Sequence, residues 1–126
     1  MHRTILSVLF VSSFSFAACT CDSQSDKETI LKGKTTKGAA VVIRIPSKPV
    51  TKESKKVFVC NGERQRLKGL ELWMPEHGHG SLPTAVNEVS NDCATVEKIK
   101  FLMTGTWDLR LAFESADKAT VSVTVR

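Results

Sequence analysis

VEKIKFLMTGTWDLRLAFESADKATVSVTVR, residues 96–126, alternates apolar and polar side chains almost to its last residue. Ile99, Phe101 and Met103 share one face, with Lys98 and Lys100 on the other. Gly105 turns the chain. Trp107, Leu109, Leu111 and Phe113 then alternate with Asp108, Arg110, Ala112 and Glu114. Val121, Val123 and Val125 alternate with Thr120, Ser122 and Thr124. Successive side chains of a strand point to opposite faces, so a period of two marks strands with one face buried and the other wet.

The same period extends towards the N-terminus. Leu70, Leu72 and Met74 share a face until Pro75 stops the run. Val57 and Val59 alternate with Phe58 and Cys60 ahead of an Asn61-Gly62 turn. Ala39, Val41, Ile43 and Ile45 line a face that Pro46 ends. Residues 84–89 give a weaker strand, and no helical period stands out beyond the N-terminal segment. Six or seven short strands separated by turn residues predict an all-β fold over residues 39–126, an immunoglobulin-like antiparallel β-sandwich.

A chain of 126 residues has room for one modest core. Its net charge is +5, but the lysines are scattered, and the three phenylalanines beyond the N-terminal segment form no stacking platform. Nucleic-acid binding needs clustered charge, so that class is set aside.

Residues 1–18 read as an export signal. His2 and Arg3 form a polar start, and Ile5 to Phe16 is an apolar and serine stretch too short to span a bilayer. It ends in Phe16-Ala17-Ala18-Cys19, which resembles a bacterial lipobox apart from Phe16, where leucine is usual. Cys19 would then carry lipid and hold the protein on a membrane, each buried CH₂ contributing about 0.8 kcal/mol. Plain secretion after cleavage near Ala17 or Ala18 is the alternative. Thr20, rather than Asp, resembles the sorting pattern of outer-membrane lipoproteins. Polar residues 19–38 then read as a flexible tether.

Four cysteines remain to be assigned. With Cys19 lipidated and the chain in an oxidising compartment, Cys60–Cys93 is the natural disulfide and Cys21 is left over. A thiolate copper site at Cys60 and Cys93 is the competing assignment.

MPEHGHG, residues 74–80, carries the most chemistry. In an extended segment His77 and His79 point the same way, and neutral imidazole ligates copper and zinc. Gly78 and Gly80 permit backbone angles that other residues resist. Met74 and Met103 end two inward-facing rows and carry thioethers suited to Cu(I). If those strands end on one side, Met74, His77, His79 and Met103 converge on a copper ion. Equally, the methionines can be core fillers and the histidines can simply hold the loop. Ser81 has no nucleophile elbow around it, and no HExxH or phosphate-cradling loop is present, so an enzyme is not expected.

LELWMPEHGHG, followed after about fifteen residues by VEKIKFLMTGTWDLRLAF and a valine-alternating last strand, resembles the YtkA-like domain, whose relatives include FixH-like proteins. The shared features fall on Met74, Pro75, His77, Gly78, His79 and Gly80, then on Met103, Gly105 and Trp107. The likeness spans roughly residues 36–126. Thr104 stands where a proline is common, and Cys60 and Cys93 are outside the shared motif. The resemblance implies a small exported or membrane-tethered sandwich linked to copper handling. Its partner would be another envelope protein, such as one that receives copper. His77, His79, Met74 and Met103 would be ligands, with Trp73 and Trp107 packed nearby. A non-catalytic interaction module without metal is the rival expectation.

Overall fold

A computed structural model describes residues 21, 25–61, 65–89 and 92–126; the export signal and Cys19 lie outside them. The described residues form nine strands and no helix: β1 (Thr29–Lys34), β2 (Ala40–Ile45), β3 (Lys55–Asn61), β4 (Leu67–Met74), β5 (His79–Gly80), β6 (Ala85–Val89), β7 (Cys93–Ile99), β8 (Gly105–Phe113) and β9 (Lys118–Val125). One sheet runs β1-β2-β3-β7-β6 and the other β5-β4-β8-β9, with every named strand pair antiparallel. Setting β1 aside, β2-β3-β7-β6 faces β5-β4-β8-β9 in the strand order of an immunoglobulin sandwich with one short extra strand.

The period-two rows fill the space between the sheets. Val41, Ile43 and Ile45 of β2 and Leu70, Leu72 and Met74 of β4 join one buried core, and the β8 row from Trp107 to Phe113 is buried along its length. In β9 the exposure strictly alternates, from buried Ala119 to buried Val125. Burying each such side chain is worth about 1.5–3 kcal/mol, so this seam sets the register of the whole fold.

Two expectations are corrected. The tether over residues 19–38 contains β1, which pairs with β2 along six residues from Thr29↔Ile45 to Lys34↔Ala40. Glu28 anchors its start: its Oε1 lies 2.5 Å from Arg44 Nη2, and both side chains are almost wholly buried. The Arg44 guanidinium also lies over the Phe58 ring, 5.0 Å from its centroid. Beyond β1, Thr35 bridges to Ala119 and the Thr36 N–H donates to the Lys118 carbonyl, stitching the two sheets along one side.

The second correction is to the strand expected to run through Ile99, Phe101 and Met103. β7 occupies residues 93–99, and Lys98 takes a left-handed φ of 63° within it. The ladder accordingly shifts between Val57↔Val96 and Lys55↔Ile99, as at a β-bulge. Phe101 remains buried and bridges Thr51, but the row ends there and Met103 emerges at the surface.

Asp117 closes the opposite end of the sandwich from Met103. Its buried carboxylate accepts from the Thr36 hydroxyl at 2.8 Å, Gln65 Nε2 at 3.0 Å and the Lys118 N–H at 3.0 Å. Burial alone would raise this carboxyl, but the hydrogen bonds from Thr35, Gln65, Thr36 and the Lys118 backbone outweigh it and hold the group well below the ordinary carboxylate range.

Candidate metal site at the β4–β5 hairpin

Pro75 cannot continue the β4 ladder, so the chain turns at once. Residues 75–78 form a four-residue loop, and Met74 and His79 face each other across the hairpin. The N–H groups of His77 and Gly78 both donate to the Met74 carbonyl, at 3.3 and 2.9 Å. Gly78 sits at φ +62°, where a side chain would be strained. His77 is therefore in the turn and not in an extended segment, but the turn still brings the two rings together: their centroids are 5.8 Å apart.

Two imidazoles that share an ion at about 2.0 Å from one nitrogen each have centroids roughly 5–6 Å apart. The pair meets that condition. His77 is exposed and His79 half-buried. His79 Nδ1 lies 3.0 Å from the Gly80 carbonyl oxygen. A carbonyl only accepts, so Nδ1 carries the proton and Nε2 keeps its lone pair, the tautomer in which a histidine ligates through Nε2. The His79 and Trp107 rings meet in a T-shaped arrangement, 5.8 Å between centroids, and Phe101 packs against Trp107 at 5.9 Å.

The methionines occupy different surroundings. Met103 is at the surface, and its carbonyl accepts from Trp107 Nε1 at 2.9 Å, which ties its backbone to the ring that His79 touches. Met74 is fully buried; its terminal methyl would lie 2.5 Å from a Cβ placed on Gly105. The hairpin thus brings together His77 and His79 and sets Met74 opposite His79 in the ladder, while Met103 is linked to them only by its backbone bond to Trp107. Trp107 packs against the site as expected, whereas Trp73 faces the outer side, where the Arg110 guanidinium lies 4.5 Å from its ring centroid. Glu76 is exposed, and the Ser81 hydroxyl donates to the Lys100 carbonyl.

The sulfur chemistry sits at the other end. Cys93 opens β7, so its distance from the far end of that seven-residue strand is roughly 20 Å at about 3.3 Å per residue. Cys60 is bonded to Cys21 and not to the expected Cys93, which is itself disulfide-bonded. Cys60 and Cys93 are direct partners across the β3–β7 ladder, with sulfurs 3.8 Å apart. The N-terminal segment reaches this strand end and brings Cys21 onto Cys60, and the Cys21 sulfur also lies 3.7 Å from the Asp92 carbonyl. None of the described cysteines is a free thiol. The role of Cys21 was missed because it sits among polar residues ahead of the first strand, and with Cys19 assigned to the lipid it was the cysteine left over.

No protein-family model, curated protein or solved structure matches this chain.

Proposed function

We propose that this protein is a bacterial cell-envelope lipoprotein that binds copper at the β4–β5 hairpin and carries or buffers it for an envelope partner. His77 and His79 are the imidazole ligands. Met103 supplies a thioether from the surface, and Met74 supplies one from the core side of the hairpin. The observation that carries this reading is the histidine pair itself: rings 5.8 Å apart on a glycine-shaped turn, with His79 Nδ1 occupied by a carbonyl 3.0 Å away. Borderline imidazole and soft thioether together suit copper better than calcium or magnesium. The likeness of residues 74–80 and 103–107 to the YtkA-like motif points the same way. The lipid anchor at Cys19, facing the periplasm from the outer membrane, rests on the lipobox-like Phe16-Ala17-Ala18-Cys19; it uses the one sulfur of Cys19, so the lipid and a disulfide at that residue exclude each other.

The test is titration of the disulfide-intact protein with Cu(I) and Cu(II), beside a His77→Ala, His79→Ala double variant. The expected result is one equivalent bound by the wild type and none at this site in the variant. Protons compete for imidazole, so uptake should fall in acid.

A second reading is a metal-free interaction module. The Nδ1–carbonyl bond and the Trp107 contact of His79 are also what a purely structural corner would use. Equal uptake by wild type and double variant decides for this reading and against the first.

A further inference from the structure

The sulfurs of Cys21, Cys60 and Cys93 all lie within 4.8 Å of one another. Three thiolates around one ion, each at about 2.3 Å, stand roughly 4 Å apart. Cys60 and Cys93 already meet that spacing at 3.8 Å, and they are buried on a rigid β3–β7 ladder. Cys21 is exposed and lies ahead of the first strand, so it is the ligand with freedom to adjust. The disulfide and the metal site compete for the same sulfurs.

We propose that Cys21, Cys60 and Cys93 form a second, redox-gated metal site: closed while oxidised, and after reduction a three-thiolate site for one thiophilic d¹⁰ cation such as Cu(I). The reductant is a dithiol. It gives two electrons and two protons to the Cys21–Cys60 bond; the S–S bond breaks, two thiols form, and the dithiol closes to its own disulfide. Cys93 is disulfide-bonded too, and a second equivalent of the dithiol opens that bond in the same way. Each thiol then releases its proton as it binds the cation. The site is independent of the histidine hairpin, standing at the opposite end of β7 and using none of its residues. It ties metal uptake to redox conditions, because oxidation takes all three sulfurs into disulfides.

The experiment uses the full chain, reduced with a dithiol, freed of reductant without oxygen and titrated with Cd(II). Cadmium bound to thiolate gives an ultraviolet charge-transfer band that imidazole ligands do not produce. The expected result is a band saturating at one Cd(II) per chain in the reduced protein and absent from the unreduced protein. Cys21→Ser and Cys93→Ser should each weaken binding roughly tenfold or more. Cys19→Ser and the His77→Ala, His79→Ala double variant should keep the band. Circular dichroism follows the fold of each sample; a reduced chain that loses its strand signal and regains it with Cd(II) also supports the site. No band in the reduced wild type overturns the proposal. So does a band unchanged in both Cys21→Ser and Cys93→Ser, or one lost in Cys19→Ser.

Discussion

Replacing Gly105 with alanine should be the most informative single change near the hairpin. Gly105 sits at φ +130°, outside the region that L-residues favour, and a methyl group there would stand 2.5 Å from the terminal carbon of Met74. The backbone strain should cost about 1–3 kcal/mol. Forcing a carbon into the packed core should cost about 1–3 kcal/mol more. A total of roughly 2–6 kcal/mol is a large part of the 5–15 kcal/mol that holds a typical domain together. The two terms separate in a double-mutant cycle. Met74→Ala alone should cost about 2–5 kcal/mol as a core truncation. In that background the clash is gone, so Gly105→Ala should cost only the backbone share. The coupling between the sites should therefore be about 1–3 kcal/mol, read from urea unfolding midpoints with unchanged slopes. Additivity to within about 0.5 kcal/mol would refute the reasoning, because it would mean the Met74 methyl does not rest against Gly105.

Two further perturbations probe the ends of the sheets. Glu28→Gln removes the charge that faces the buried Arg44 guanidinium, and the expected loss is about 1.5–3 kcal/mol in urea unfolding; no measurable loss would show that β1 is not anchored there. Asp117→Asn should lower stability at neutral pH, since an amide cannot accept from Thr36, Gln65 and Lys118 as the carboxylate does. The folded-state pKa of Asp117 lies below its ordinary 3.8, so its contribution is fully present above that value and is lost as pH falls below it. The gap between wild type and variant should stay constant from neutral pH down to about pH 5 and close in stronger acid. Measured by urea unfolding across that range, a gap that instead widens in acid would reverse the assignment.

The sandwich was legible because the rows Trp107–Phe113 and Val121–Val125 carry one buried face each, and a period of two has no other compact solution. What was hidden has physical causes. β1 reads TILKGK, and its outward Lys32 and Lys34 make a paired strand look like a solvated tether. The first four residues of β7, Cys93 to Val96, are buried on both faces and so show no alternation. Lys98 in a left-handed conformation is not a residue that sequence reasoning would place at a bulge. At the site, the proximity of His77 and His79 was foreseen, but through an extended segment; the turn at Gly78 produces it instead. The cysteine pairing was missed because it depends on where residue 21 lies in space, which no local pattern records.

The different burial of the two methionines bears on how the hairpin would work. Met103 is at the surface and tied to Trp107 only through its backbone, so its side chain can move to an ion at little cost to packing. Met74 cannot: its side chain is fully buried and occupies the space that Gly105 leaves open. Any ligand that recruits Met74 must disturb that packing, so binding through it would change the stability of the β4–β8 seam as well as the hairpin. Binding through His77, His79 and Met103 alone would leave the seam untouched. Met74→Leu, which keeps the volume and removes the sulfur, separates these cases, since such a swap usually costs less than about 1.5 kcal/mol. If Met74 is a ligand, the variant should stay folded and bind Cu(I) more weakly; unchanged Cu(I) affinity would assign Met74 to the core and leave the ion to the three side chains at the rim.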